Sequence, residues 1–318
     1  MILSVSPGFW QDRPPGEALG TAALADRLGY RGLWVGEMAT YDAFALATAI
    51  GLRTERIPLT VGPLAVAVRD PMTIARGAAS VAALTGRRVD VAIGTSSPVV
   101  VSEWHGRDRA RSVTRLRETA TVLRALLDGE RPEFAGESLQ VGGYRLRLAA
   151  PKSELTVAAF GPSAVRVAAE TADRMVLNLV TPASVAGLVE RLNAAGRPAP
   201  RVAVWVAAAV DPSDAALEQI RRAVVAYLAA PGYGEMFAEA GFADVVAFAR
   251  TRPHPRDLLA AVPFELVRTV ALAGDLETVR AGLAAYADAG ADEVALVPAS
   301  VDDDPLGERT LTRLAAPV

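Results

Sequence analysis

Four short stretches carry the residue types that can do chemistry. Glu37 directly follows the apolar run GLWVG at 32–36. A carboxylate just past a buried strand can accept a hydrogen bond from a ring N–H or a substrate, or support a neighbouring loop. A loop salt bridge or helix cap is an equally ordinary use of it. Gly62-Pro63 interrupts the apolar run 57–68, IPLTVGPLAVAV. Proline has no N–H for a strand ladder, so it forces a bulge there or close by. X-Pro is also the bond type in which cis lies only about 0.5–1 kcal/mol from trans. Two readings stay open: a trans kink that ends the strand, or a protrusion against which a flat ligand lies. Gly94-Thr95-Ser96-Ser97-Pro98 ends the apolar run 89–94, giving close backbone approach and hydroxyl donors. An ordinary Ser/Thr turn fits it as well. Gly161-Pro162-Ser163-Ala164 follows the run 155–160 and opens a helix. Free N–H groups and the positive end of the helix dipole make such a start an anion site. Proline at the first helical position is equally a plain helix-start signal.

What is missing narrows the chemistry further. The chain has no cysteine and only two histidines, His105 and His254. Disulfides, thiolate catalysis, cysteine zinc sites and multi-histidine mechanisms are therefore excluded. His105 sits in a loop, Glu103-Trp104-His105-Gly106, where a lone histidine is more often solvated than catalytic; His254 lies between two prolines. Lys152, the single lysine, precedes a strand and has no assigned role, and Asp173 at a helix–strand junction reads as structural. No Ser–His–Asp order, P-loop, H-E-x-x-H or EF-hand pattern is present. A site without nucleophile or protein-bound metal points to a cofactor that carries the reaction.

The elements that must position these residues alternate along the chain. Of its 318 residues 51% are hydrophobic and 22% charged, which is ample for a large core and excludes disorder. The net charge of −3 gives no electrostatic footprint for nucleic acid or an anionic membrane. No run has the length of a membrane span and the start lacks signal-peptide character, so a cytoplasmic location is expected. Strands are expected at 2–6, 32–36, 57–68, 89–94, 155–160, 174–180, 201–210 and 293–297, each with a helix after it. Two excursions interrupt the rhythm after strands four and seven: a β-hairpin at 133–148 and a helical, Pro/Gly-dense segment at 231–268. Repeated βαβ units pair in parallel, and eight of them predict a single-domain (β/α)8 TIM barrel over 1–318. The rival is an open doubly wound sheet, against which the missing G-x-G-x-x-G counts. In a barrel, chemistry belongs at the C-terminal ends of the strands.

Several segments, in order, resemble the bacterial luciferase-like monooxygenase superfamily, most closely its deazaflavin (coenzyme F420)-dependent oxidoreductase branch. They are ADRLGYRGLWVGE, LRTERIPLTVGP with Arg69-Asp70-Pro71, AASVAALTGRRVDVAIGTS, LTVAAFGPSAVRVAAETAD and GDLETVRAGLAAYADAGADEVAL. The resemblance implies a (β/α)8 barrel with the cofactor across its mouth and a cis-peptide bulge in strand three at Gly62-Pro63. It further implies a phosphate at the helix start Gly161, Ser163 and Ala164, and a ring or substrate contact at Glu37. The cofactor-binding set so implied is Glu37, Gly62, Pro63, Ala65, Gly94, Thr95, Gly161, Ser163 and Ala164, with no metal and no residue assigned as catalytic.

This sequence also departs from the family. Met38 stands where a histidine usually follows the carboxylate, Gly-Thr-Ser-Ser replaces Gly-x-Gly-Glu after strand four, and Arg174 replaces a glycine. These losses argue against a sugar-phosphate dehydrogenase and leave a reductase of an unsaturated or carbonyl compound, or an orphan specificity. Hydride exchange between coenzyme F420 and a small organic substrate is the expected activity. The alternatives are an FMN-dependent monooxygenase and a non-catalytic ligand-binding barrel. A small molecule is the expected partner, with neither nucleic acid nor membrane, and a homodimer is the assembly to test.

Overall fold

The computed structural model describes residues 1–8, 11–194 and 198–315. Its strands are β1 (Ile2–Val5), β2 (Leu33–Val35), β3 (Leu59–Ala65), β4 (Val89–Gly94), β5 (Phe134–Ala135), β6 (Gln140–Val141), β7 (Leu155–Ala158), β8 (Arg174–Asn178), β9 (Arg201–Val210), β10 (Ala271–Gly274) and β11 (Glu293–Pro298). Contacts cluster in two compact units, one of residues 1–30, 177–189 and 203–318, the other of residues 31–176 and 190–202. The second unit holds the parallel run β2-β3-β4-β7-β8. The first holds the parallel run β10-β9-β11-β1. Each parallel strand leads to a helix, and without β10 the remaining eight follow the order of a (β/α)8 barrel, which is the fold class.

Both excursions fall where the sequence places them. β5 and β6 pair antiparallel as a hairpin, and the later segment forms short helices. One strand escaped the sequence reading. β10 is an extra four-residue strand beside the end of β9, where the sequence shows only a short VALAG run after a helical stretch. The expected strands over 57–68 and 174–180 are shorter than their apolar runs, ending at Ala65 and Asn178.

Local chemistry explains the boundaries. Asp70 caps the helix Pro71–Thr85 by accepting from the Thr73 amide at 2.9 Å, with proline in the first turn and left-handed Gly86 at the end. Every residue of β4 and of β11 is buried, which is why these strands, apart from Asp90 and Glu293, read as apolar runs rather than alternating ones. Arg174 is buried between strands: it donates to Thr156 Oγ1 at 3.0 Å and Thr60 Oγ1 at 2.9 Å, and lies 4.5 Å over the Trp34 ring. Asp173 is structural, as expected, accepting from the Leu155 amide at 2.8 Å and pairing with Arg124. Among the described residues no helix is long and apolar enough to cross a membrane.

β3 is broken as proline requires. Its register with β4 shifts between Val61 and Leu64, and the Gly62-Pro63 peptide is cis. Gly62 has φ +122°, and a Cβ there would collide with the Ala92 carbonyl oxygen. Gly62→Ala should therefore lower the denaturation midpoint, the backbone strain alone costing about 1–3 kcal/mol. Gly187, inside the helix Pro182–Asn193, is the opposite case: a Cβ there would have nothing within 4 Å. Gly187→Ala should raise the stability by roughly 0.5–1 kcal/mol. Urea titrations of both variants followed by circular dichroism check the contrast; an unshifted Gly62→Ala would contradict the crowding at β3.

Candidate functional site

In the second unit all five strands run the same way, so their C-terminal ends share one edge. Three of those ends line a cavity of about 390 Å³, walled by Glu37 and Met38 after β2, Pro63 and Ala65 in β3, and Val68, Arg69, Asp70 and Thr73 beyond it. Ser96, Val100, Trp104 and His105 close it from the segment after β4. The volume suits a drug-sized or smaller organic molecule.

The cavity's charged wall is organised by Arg69. Its Nε donates to Glu37 Oε2 at 2.8 Å, and its Nη2 pairs with both Glu37 Oε1 and Asp42 Oδ2. Glu37 Oε1 also accepts from the Ala43 amide at 3.3 Å. Asp42 meanwhile caps the helix Ala43–Arg53, accepting from the Phe44 and Ala45 amides, each at 3.0 Å. The guanidinium carbon lies 5.4 Å from the Phe44 ring centre, and a Cβ at Gly77 would meet that ring at 2.6 Å. Phe44 thus packs closely on the helix Pro71–Thr85, which only a glycine at 77 permits. The Glu37 hydrogen bond is the largest influence on Arg69 and raises its pKa; burial opposes this and Asp42 adds to it. Burial would raise the Asp42 carboxyl, but the Ala45 amide, Arg69 and the Phe44 amide together hold it below the usual value.

The residues singled out by sequence are distributed unevenly. Glu37, Pro63 and Ala65 line the cavity. Gly62 is buried at the bulge behind Pro63. Gly94 closes β4, where a Cβ would lie 3.1 Å from the Ala158 Cβ of neighbouring β7, and half-buried Thr95 follows it. Neither lines the cavity; the next residue, Ser96, does, with φ +58°. Gly161, Ser163 and Ala164 also stand outside the lining. They begin the helix Pro162–Thr171 after β7, with Gly161 and Ser163 exposed and no side chain capping the helix start. The sequence reading missed Arg69, although the signal was there: an arginine one residue before an Asp-Pro helix start, opposite a strand-end carboxylate. It also assigned no role to Trp104 and His105.

The sequence model described as luciferase-like monooxygenase matches residues 4–293. The chain belongs to this family. A Mycobacterium tuberculosis relative, provisionally named a coenzyme F420-dependent oxidoreductase, is 24% identical over 338 residues covering 95% of this chain and 96% of its own. The 5,10-methylenetetrahydromethanopterin reductase of Methanolobus tindarius is 23% identical over 216 residues, 66% of each chain. Among solved structures, coenzyme F420-dependent tetrahydromethanopterin reductase from Methanopyrus kandleri superposes with a TM-score of 0.83 at 19% identity, covering 100% of this chain and 99% of that one. The FMN-bound oxygenating constituent of 3,6-diketocamphane monooxygenase from Pseudomonas putida gives 0.74 at 16% identity, covering 99% and 97%. At these identities the structural likeness carries the luciferase-like fold.

Arg69→Met tests what holds the site of this luciferase-like chain. It keeps an apolar stem and leaves Glu37 and Asp42 facing each other without their cation, an expected loss of about 1–3 kcal/mol at neutral pH. The folded Asp42 carboxyl is held low, so its contribution is complete above its unfolded value of about 4 and disappears as pH falls through the folded value. The stability gap between parent and variant should therefore narrow below about pH 4. Urea midpoints across the acid range measure it; a gap independent of pH would place the triad's stabilisation elsewhere.

Proposed function

We propose that this luciferase-like chain is a deazaflavin (coenzyme F420)-dependent oxidoreductase that passes hydride between the deazaflavin ring and a small organic substrate. The observation that carries the reading is the β3 bulge: Pro63 leaves the strand ladder and becomes a wall of the cavity. A rigid apolar protrusion, continued by Ala65, Val68 and Val100, suits the face of a flat ring, and the residues present fit the group in size and polarity. The similar proteins named for coenzyme F420 support the choice of cofactor. The family match runs through both compact units, which supports reading 1–318 as one domain.

The residues then divide the work. Pro63 and Ala65 would bear on the ring. Glu37 keeps acceptor capacity beyond its bonds to Arg69 and Ala43, because a carboxylate offers about four lone-pair sites. It would take a hydrogen bond from the ring or the substrate while Arg69 fixes its orientation. The uncapped helix start at Gly161, Ser163 and Ala164 would hold the cofactor phosphate through backbone N–H groups. Val68, Val100 and Trp104 would keep water from the reacting face. When bound, the deazaflavin supplies the hydride chemistry, so the protein needs to align donor and acceptor at about 3–3.5 Å rather than provide a nucleophile. FMN has the same ring plan and a phosphate, and the FMN-bound relative of like fold makes an FMN monooxygenase the second reading.

Titrating the purified protein with each cofactor, followed by ring fluorescence, decides between them. The deazaflavin is expected to bind with micromolar affinity and FMN more weakly; tight FMN binding without deazaflavin binding would reverse the order. Ser163→Glu sets a carboxylate at the proposed phosphate position and should weaken binding about tenfold or more. Unchanged affinity would move the anion site away from this helix.

A further inference from the structure

We propose that His105 is the proton donor and acceptor of this site, a role the position after β2 cannot fill because Met38 stands there. The inference rests on the deazaflavin reading above and adds a catalytic residue to it.

The segment after β4 does not run on as a loose loop. Ser96 takes a positive φ of +58°, and Val99–Trp104 then forms a π-helical turn, a rare element found often at functional sites. Three bonds fix its end. The His105 and Gly106 amides both donate to the Ser102 carbonyl, the latter at 3.1 Å, and the Arg107 amide donates to the Val101 carbonyl at 2.9 Å. Val101 is fully buried and anchors the turn. His105, exposed like Trp104 beside it, borders the cavity from this fixed backbone.

The other ionisable groups of the cavity already have partners. Glu37 and Arg69 bind each other, and Asp70 accepts the Thr73 amide at 2.9 Å as a helix cap. The His105 imidazole makes no hydrogen bond or ion pair with any described residue. The charged groups around it are Glu37, Arg69 and Asp70 across the cavity and Glu103, Arg107 and Asp108 along its own segment. An imidazole is the side chain suited to exchanging a proton near neutral pH.

For a carbonyl substrate the step balances as follows. The His105 imidazolium would give its proton to the carbonyl oxygen as that oxygen takes up the C=O π pair, the reduced deazaflavin, when bound, supplying the hydride for the carbonyl carbon. The products would be the alcohol, the oxidised cofactor and a neutral imidazole, which would regain its proton from solvent. Oxidation of an alcohol runs the same transfers backwards.

With two histidines in the chain, imidazole NMR reads the site directly. His254, which caps the helix Pro255–Ala261 by accepting from the Arg256 amide at 3.3 Å, serves as internal reference, and His254→Gln assigns the signals. The ring spectra are recorded on the free protein and again with saturating oxidised deazaflavin, binding being verified by fluorescence. The His105 ring signals should shift on binding while those of His254 stay. His105→Gln should bind the cofactor within about threefold of the parent. It should lose the neutral-pH limb of the rate for any ketone or enone the parent reduces. Bound cofactor with unmoved His105 signals, or a His105→Gln variant that keeps the parent's pH–rate profile, overturns the proton role and leaves the cofactor reading intact. Failure of the deazaflavin to bind overturns the cofactor reading itself.

Discussion

One guanidinium fixes the charged side of the cavity. Arg69 reaches from the segment after β3 to Glu37 after β2 and to Asp42 at the start of the next helix. Its planar fork lets it serve both carboxylates at once, which the point charge of a lysine does less well. Because Asp42 also caps its helix and Phe44 lies under the guanidinium, the triad ties two strand-end loops to two helices. The carboxylate expected to meet a ligand is thereby held in place by its own protein. The salt-bridge reading of Glu37 and the ligand-facing reading are compatible: the same side chain pairs with Arg69 and lines the cavity.

The bulge works against that fixed wall. A parallel ladder would keep residues 62–63 within β3, but a proline ring cannot donate and a side chain at 62 would collide with the Ala92 carbonyl. Gly62 gives the chain room to turn out and Pro63 keeps it out. At residue 60, two positions earlier in the same strand, Thr60 accepts from Arg174, which also engages Thr156 and covers Trp34. The residue that departs from the family's glycine therefore fills a polar layer among β2, β3, β7 and β8. Its positive charge is spread over hydroxyls and an aromatic face, a tolerable arrangement for a buried arginine.

The fold was legible because parallel strands buried on both faces advertise themselves as apolar runs, and because Asp70-Pro71 and Gly86 punctuate the intervening helix. β10 was hidden by its length: four residues beside a Pro/Gly-dense segment carry little periodicity. At the site, the strand-end carboxylate and the Gly-Pro break were readable one position at a time. The pairing of Glu37 with Arg69 was not, since 32 residues of sequence separate them and only adjacency of β2 and β3 brings them together. Nor was the π-helical turn. VVVSEW has no signature that separates a π turn from an α turn, so the direction of His105 depended on hydrogen bonds that only the folded backbone defines.

Parallel βα repeats explain why chemistry can move between strand ends without disturbing the scaffold. Each loop follows its own strand, and several loops converge on one edge, so a group lost from one can be supplied by another. Met38 sets an unbranched apolar side chain on the cavity wall from the loop after β2. A barrel retained only as a binder has no need of a titratable group at that edge. Here the segment after β4 carries one, held by a rare turn whose amides are bonded back to Ser102 and Val101. Met38 and His105 thus line one cavity, the first from the loop after β2 and the second from the segment after β4.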